Sequence, residues 1–415
     1  MTVSDDVMVD HDGGASSPRG VVTALWTKVR RGEATLLPIL LGLAVLVIYF
    51  QIRNSVFLSA GNLTNLFVQA TIFILLAMAE TWLLLLGEID LSVGYVAALG
   101  ATTAVILLDA QFHWPWYLAI LLAIAVTTAI GVLQGLIIIK LRLPSFIVTL
   151  AGLLGWEGVL IFFVDRQGTG GTIPVQEKVL YDLVNGNLSP LATWIFTAAS
   201  LMIFSWSILR KDQSRRASGL EAVPTAVTIL KVAALVVAGI ILVLIFNTNR
   251  GTFTVLHGMP YAIPVDFVML TGGGFILTRT KAGRYIYAIG GNPEAARRAG
   301  VAVDRYRLLA FTLTGVTAGV AGLIYASRLG GISDGVDGGN LVLLAVASAV
   351  IGGTSLFGGR GKIIHAVIGG MVIATIYNGM ALINMSAATQ FIATALVLLV
   401  AVTMDSVARR STATR

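Results

Sequence analysis

Four acidic residues of this chain lie where ionised side chains are costly. Glu80 and Glu157 each stand within a long apolar run, and Glu88 and Asp90 lie between two such runs. A carboxylate at bilayer depth is expensive, so these residues favour a role in moving a polar solute or a proton. For Glu80 and Glu157, the alternative is a neutral carboxyl group that is hydrogen-bonded inside a helix bundle.

Glu88 and Asp90 belong to the stretch GEIDLSVG at residues 87–94, where two apolar runs meet with almost no spacer. One interpretation places Glu88, Asp90 and Ser92 on the path of a substrate. The other is an ordinary turn, in which Asp90 caps the following helix and Ser92 bonds to backbone. Physical chemistry alone slightly favours the turn.

Signs of catalysis are weak elsewhere in the sequence. Residues 358–363, GGRGKI, imitate a phosphate-binding loop, but they lack the upstream glycine, and Ile363 stands where a metal-binding Ser or Thr belongs. The four histidines are scattered over different loops and runs, and no cysteine is available as a nucleophile or thiolate ligand. We therefore expect no enzymatic activity, no metal site and no cofactor in this chain.

The most informative polar segment is GGNPEAARRAGV at residues 290–301. Asn292 is a good N-cap, Pro293 suits the first helical position, and Gly300 can adopt the left-handed conformation that ends a helix. These residues predict a helix of about seven residues, which is marginal in water on its own. Such a helix is expected to be held by another protein.

Charge and side-chain size in this segment support the same interpretation. Glu294 can pair with Arg298 one turn later, and its carboxylate suits the positive end of a helix. Ala295, Ala296 and Ala299 are predicted to share one face that is small enough for a closely packed partner.

Composition indicates that the rest of the chain lies in a membrane. The sequence is 56% hydrophobic and 12% charged, with a mean hydropathy of +0.87, whereas a soluble domain carries about 25% charged residues. The run at 340–357 is short and rich in glycine, so a re-entrant or broken helix is the alternative there. We predict an all-α, polytopic membrane protein with ten to twelve transmembrane helices, drawn from the apolar runs at 36–52, 65–86, 92–108, 116–139, 145–164, 191–209, 226–246, 263–278, 308–327, 340–357, 363–384 and 389–405.

The basic residues predict the orientation. If the N-terminus is cytoplasmic and the runs alternate, all but five of the 28 lysines and arginines fall on the cytoplasmic side. This distribution satisfies the positive-inside rule, and it explains the net charge of +7 without a nucleic-acid partner. Both termini are therefore expected in the cytoplasm.

The chain is predicted to contain one large domain. Residues 1–34 are polar and mixed in charge, which is typical of a disordered cytoplasmic tail. Residues 35–406 form the predicted transmembrane domain, with a cytoplasmic coupling loop at 279–307, and 407–415 form a second cytoplasmic tail. The polar excursion at 165–190 is too short to be an independent domain.

Four motifs resemble those of the permease subunits of ATP-binding-cassette sugar importers, in the ribose, xylose and galactoside branch. Their order and spacing also agree, and the resemblance covers roughly residues 35–405. An added helix pair between the fifth and eighth runs resembles the xylose-type permeases most. Glu157 departs from the pattern, because relatives usually carry arginine there. The motifs are GEIDLSVG at 87–94, PSFIVTLAG at 144–152, GGN at 290–292 with the alanines that follow, and VIGGTSL at 350–356.

The resemblance implies a type II importer-like permease of the bacterial inner membrane that moves a monosaccharide, xylose or a related pentose, by alternating access. The implied partners are two ATPase subunits that bind ATP and magnesium, an extracytoplasmic sugar-binding protein, a second permease copy and membrane lipid. The short helix would be the coupling helix, and the residues implied to couple it to the ATPase are Gly291, Asn292, Pro293, Glu294, Ala295, Ala296, Arg297 and Gly300.

The substrate path is predicted to contain Glu88, Asp90, Ser92, Trp156, Tyr377 and Asn378. Tyr377 and Asn378 interrupt an apolar helix, and an interhelical hydrogen bond is their alternative role. The rival function is an ion-coupled secondary transporter of a small polar solute, in which Glu80 or Glu157 would carry protons. A membrane scaffold or receptor is a third interpretation, which the density of glycines and broken helices disfavours.

Overall fold

The structure is a computed structural model that describes residues 36–109, 111–112, 114–167, 170–219, 225–251, 255–396, 399 and 403. The predicted tails at 1–34 and 407–415 lie outside the described residues. In chain order the elements are α1 (Leu36–Arg53), α2 (Ala60–Leu84), α3 (Val93–Leu108), α4 (Trp116–Leu141), α5 (Ser145–Gln167), β1 (Thr172–Pro174), α6 (Lys178–Asn185), α7 (Pro190–Ala217), α8 (Thr225–Asn247), α9 (Ala262–Arg279), α10 (Lys281–Gly291), α11 (Pro293–Arg298), α12 (Val303–Leu329), β2 (Gly331–Ser333), α13 (Gly338–Ile351), α14 (Ile363–Leu382) and α15 (Ala387–Leu396).

The helices confirm the all-α prediction. Among the described residues, 8 helices are long and apolar enough to cross a membrane, and shorter apolar helices accompany them. The long ones are α2, α4, α5, α7, α8, α9, α12 and α14, and the shorter ones include α3, α13 and α15. Over its described residues, each predicted apolar run coincides with a helix from one of these two groups or with α1, and the end of the run at 389–405 lies largely outside the described residues.

The chain separates into two compact units. One comprises Met1–Pro38 and Thr197–Leu242, and the other comprises Ile39–Phe196 and Val243–Arg415. Within the first unit, Leu201 of α7 packs directly against Gly239 of α8. This unit therefore contains most of the added helix pair that resembles the xylose-type permeases.

The interior of the larger unit is built from α2, α3 and α12. The membrane-length part of α2 is 89% buried, whereas that of α5 is 17% buried, so α5 lies at the edge of this unit. The GxxxG pairs of α4 and α12 face each other, and a Cβ atom on Gly131 would come 3.4 Å from the Cα atom of Gly315. Two glycines four positions apart, Gly131 and Gly135 on α4 and Gly315 and Gly319 on α12, allow helices to approach this closely.

The loops of the larger unit gather at two ends. At the first, which we call the basic end, lie residues 85–89, 140–145, 279–307 and 352–362, and there the Tyr287 hydroxyl donates to the Gly361 carbonyl at 2.7 Å. At the opposite end, the Asn54 side chain donates to the Leu382 carbonyl at 2.9 Å. This grouping is the one that alternating spans require.

The described residues of the predicted excursion at 165–190 are folded, which the sequence did not reveal. β1 pairs with β2 in antiparallel register, with Ile173 opposite Ile332, and Leu180 of α6 is buried. The hydroxyl of Ser327 accepts a hydrogen bond from the Val184 amide at 3.0 Å, which ties α6 to α12. A strand of three residues has too little pattern to be recognised before its partner is known.

α13 is a half-length helix. Its 14 residues rise by about 21 Å, which falls short of the roughly 30 Å hydrocarbon core. The structure thus favours the broken-helix alternative for the run at 340–357. A chain that begins a helix inside the membrane needs surrounding protein or water for its free backbone groups.

Candidate functional site

The short helix α11 is capped as predicted. The Asn292 side-chain oxygen accepts a hydrogen bond from the Ala295 amide at 2.9 Å, and Pro293 occupies the first helical position. Gly300 adopts a φ of +82°. The amides of Gly300 and Val301 return to carbonyl groups in the last turn, both across 3.0 Å. This pair of hydrogen bonds is a Schellman motif, which satisfies carbonyl groups that a helix end leaves unpaired.

Two details of α11 differ from prediction. Glu294 pairs with Arg297 at 2.8 Å and not with Arg298, because residues three positions apart are also neighbours on the surface of a helix. Ala296 is buried against Ile289 and Val303 of the same chain. The three alanines therefore do not form one free face, and only Ala295 and Ala299 are exposed.

α10 joins α11 to the remainder of the basic end through close backbone contacts. A Cβ atom on Gly290 would overlap the Leu85 carbonyl oxygen and lie 2.6 Å from the Gly359 amide nitrogen. A Cβ atom on Gly358 would lie 2.7 Å from the Gly290 carbonyl oxygen and 3.1 Å from the Gly87 amide nitrogen. We call Gly87, Gly290, Gly358 and Gly359 the glycine junction. It connects α10 with the turns that follow α2 and α13.

A basic cavity of about 710 Å³ lies next to α11. Arg307 of its wall forms an ion pair with Glu88, and both side chains are largely shielded from solvent. The predicted path residue Glu88 is thus held beside the coupling helix, at the basic end. The cavity is lined by Ile139, Arg142, Leu143, Pro144, Arg297, Asp304 and Arg307.

Asp90 is the centre of a buried polar network. One Asp90 carboxylate oxygen accepts hydrogen bonds from the Ser92 amide at 2.8 Å and the Ser92 hydroxyl at 2.6 Å. The Ser92 hydroxyl accepts a further bond from the Gln134 side chain at 2.7 Å. Burial raises the pKa of Asp90 from 3.8 to about 6, although the hydroxyl and amide of Ser92 lower it. Asp90 therefore binds the backbone of its own turn, which is close to the ordinary-turn interpretation.

Two further residues singled out from the sequence lie beside this network. Glu80 is completely buried near Asp90, and its carboxyl group lies within reach of the Asp90 backbone. A Cβ atom on Gly152 would lie 2.5 Å from the Gln134 amide nitrogen and 3.2 Å from the Trp156 ring nitrogen. Trp156 thus faces the same cluster, and its ring N–H has no acceptor in the described part.

Comparison with known proteins identifies the family. Residues 62–402 match the family described as "Branched-chain amino acid transport system / permease component". The chain belongs to this permease family. No solved structure matches it.

Curated relatives place the permease among sugar importers. It is 36% identical to the xylose transport system permease protein of Escherichia coli K12, over 89% of this chain and 90% of the relative. It is 33% identical to the xylose permease of Haemophilus influenzae, over 88% of this chain and 95% of the relative. It is 28% identical to the ribose import permease protein of Escherichia coli K12, over 88% and 92%. The resemblance stated from the four motifs is confirmed, and the permease is a multi-pass inner-membrane protein that works with ATPase and binding-protein partners.

Asn378 of the permease takes part in a hydrogen-bonded pair between two helices. Asn378 and Asn62 exchange side-chain hydrogen bonds of 2.9 and 3.1 Å, which join α14 to α2. Tyr377 packs its ring against Phe73 at 5.8 Å, and its hydroxyl has no partner among the described residues. The geometry of Asn378 favours the interhelical alternative.

Sequence reasoning missed two members of the site. Gln134 is buried in the middle of an apolar helix, and a lone amide there was a detectable signal of a polar contact. Arg307 was counted only for orientation, because its partner Glu88 lies more than two hundred residues earlier. Only the folded chain brings the two together.

Proposed function

We propose that this permease carries a monosaccharide, xylose or a related pentose, into the cell in an importer driven by ATP. Two xylose permeases that are 33% and 36% identical over most of both chains support this substrate class. ATP and magnesium would be bound by two ATPase subunits, and this chain would hydrolyse nothing. A second copy of the permease and an extracytoplasmic sugar-binding protein would complete the importer.

One observation carries the assignment of the ATPase contact. α11 is stabilised by its own caps and by the buried side chain of Ala296. Ala295, Ala299 and the charged residues of α11 are exposed. A helix of 6 residues that projects without a partner is marginal in water unless another protein covers it. The basic cavity beside it is suited to an acidic surface segment of the same ATPase.

The chemistry of the interior supports a neutral solute over an amino acid, although the family description names amino acids. Buried acidic side chains in the described part include Glu80, Asp90 and Asp266. No lysine or arginine is buried to the same degree among the described residues. A zwitterion would need a cationic partner for its carboxylate, whereas sugar hydroxyl groups donate readily to carboxylates.

The proposed orientation in the membrane rests on the basic end of the permease. The basic end collects the loops that are rich in lysine and arginine, so it would face the cytoplasm with both termini. Asp90, Ser92 and Trp156 remain proposed path residues, since they cluster where α3, α4 and α5 meet. Glu88, Tyr377 and Asn378 stay predictions without such a cluster.

Uptake by reconstituted vesicles tests the function. The permease would be incorporated with its co-purifying ATPase, and uptake of radiolabelled xylose, ribose and leucine would be measured with the binding protein present. We expect xylose uptake that requires ATP on the side of the basic end. Accumulation by the lone permease on a proton or sodium gradient would establish the secondary-transporter alternative instead.

A further inference from the structure

A second polar cluster lies where the half-length helix α13 meets α3. Gly338, the first residue of α13, packs closely on Gly94. A Cβ atom on Gly94 would overlap the carbonyl oxygen of Gly338. A Cβ atom on Gly338 would lie 2.6 Å from the ring of Tyr95. The N-terminus of α13 therefore lies against Tyr95, within the permease.

Helix lengths place this contact near the middle of the membrane. α13 has 14 residues, so Gly338 lies about 21 Å from the end of that helix at the basic end. Glu157 lies twelve residues beyond Ser145, which places it about 18 Å from the same end along α5. Both distances fall well inside a hydrocarbon core of roughly 30 Å.

Four polar side chains converge at this depth. Tyr95 belongs to a packed cluster that also contacts Tyr325 and Trp156, the neighbour of Glu157. The Tyr95 hydroxyl lies close enough to the Glu157 and Asp337 carboxylates to interact with both. Tyr325 lies in the field of Asp337 as well. Asp337 accepts a hydrogen bond from the Asn340 amide at 2.8 Å, which holds its carboxylate at the start of α13. We call Tyr95, Glu157, Tyr325 and Asp337 the mid-depth cluster.

The cluster is open on the side where α5 lies at the edge of the unit. Asp337 is exposed and Glu157 partly exposed, and a Cβ atom on Gly155 or Gly158 would meet nothing within 4 Å. Carboxylates that are exposed at mid-bilayer depth do not face lipid, because hydrocarbon leaves them without partners. They face a water-filled cavity or a path that a partner copy helps to enclose.

We propose that the mid-depth cluster is the monosaccharide contact site of the permease. Sugar hydroxyl groups donate hydrogen bonds to the Glu157 and Asp337 carboxylates, and the Tyr95 hydroxyl completes the set. The acidic groups suit an uncharged polyol and repel anions such as sugar phosphates. The site deepens the proposed function and rests on it, because it names the groups that would contact the same sugar.

Uptake by the complete importer tests the three hydrogen-bonding groups. Glu157→Gln, Asp337→Asn and Tyr95→Phe are each expected to lower the initial rate of xylose uptake at least ten-fold at normal membrane levels. The ATP hydrolysis that the binding protein stimulates should persist, which a misfolded permease would not show. Asp165→Asn, an exposed carboxylate near the other end of α5, is the matched control and should transport normally.

Thiol labelling gives a test that does not depend on transport. The chain contains no cysteine, so a single introduced thiol reports its own surroundings without background from this chain. Glu157→Cys should react with a hydrophilic methanethiosulfonate reagent, whereas Leu133→Cys on the exposed apolar face of α4 should not.

The outcomes separate this inference from the proposed function. If the unmodified importer carries no sugar, the proposed function fails. If it carries xylose while all three variants retain the unmodified rate, or if Glu157→Cys stays unreactive, only the mid-depth site is overturned.

Discussion

The amide of Gly359 donates a hydrogen bond to the carbonyl oxygen of Leu85 across 2.9 Å. This bond ties the turn after α13 to the end of α2, and Gly290 of α10 lies against both partners. The contacts are between backbone atoms, which cannot yield as side chains do. A displacement of α10 and α11 would therefore carry both turns with it, including the one that holds Asp90.

Gly290→Ala is predicted to uncouple the permease. Its methyl group would overlap the Leu85 carbonyl oxygen, so the glycine junction must open. We expect xylose uptake to fall at least ten-fold while the assembled importer still hydrolyses ATP, measured in the same vesicles. Gly272→Ala in α9, where a Cβ atom meets nothing within 4 Å, is the matched control. Equal uptake by both variants would contradict a mechanical role for the junction.

The two sides of α11 are predicted to respond differently to substitution. Ala296→Leu would overpack the contact with Ile289 and Val303, at a cost of about 1–3 kcal/mol, and should lower the Tm of the purified permease. Ala299→Arg is exposed and should leave the Tm unchanged, but it should weaken co-purification of the ATPase. Loss of ATPase binding in the first variant alone would place the docking face on the other side of the helix.

Local chemistry made α11 and the α4–α12 contact predictable. Caps depend on residues a few positions apart, and the GxxxG spacing defines a close helix face without its partner. The orientation of Ala296 was not predictable, because its neighbour Val303 lies beyond the Gly300 stop and the chain direction after that stop is set by packing.

The mid-depth cluster shows the limit of sequence reasoning more sharply. Glu157 attracted attention as an isolated acid, but Tyr95 and Asp337 had no local pattern that linked them to it. These side chains come together because α13 starts halfway through the membrane. From the sequence, a broken helix at this position was only one of two alternatives. The same non-local dependence hid the pairing of β1 with β2.

Stability is predicted to depend on the titration of Asp90. The pKa of Asp90 is raised to about 6 in the folded chain, so the folded form binds a proton more tightly than the unfolded form does. That contribution is fully present below about pH 4 and is lost as the pH rises through about 6, by on the order of 3 kcal/mol. Thermal unfolding between pH 4 and 7 should show this fall, and Asp90→Asn should reduce it. Parallel curves for the two proteins would refute the assignment.

The amide pair of Asn62 and Asn378 allows a structural role to be separated from a sugar contact. Asn378→Leu removes the donor to the Asn62 side-chain oxygen, while the Asn62 amino group keeps its 2.8 Å bond to the Phe57 carbonyl. The variant should destabilise the permease by about 1 kcal/mol and lower its Tm. Asn62→Leu combined with Asn378→Leu removes both polar groups, and much of the Tm should return because no amide is left unsatisfied. If the pair is structural, the double variant also transports xylose at a near-normal rate. A double variant that recovers its Tm but carries no sugar would show that Asn378 contacts the substrate.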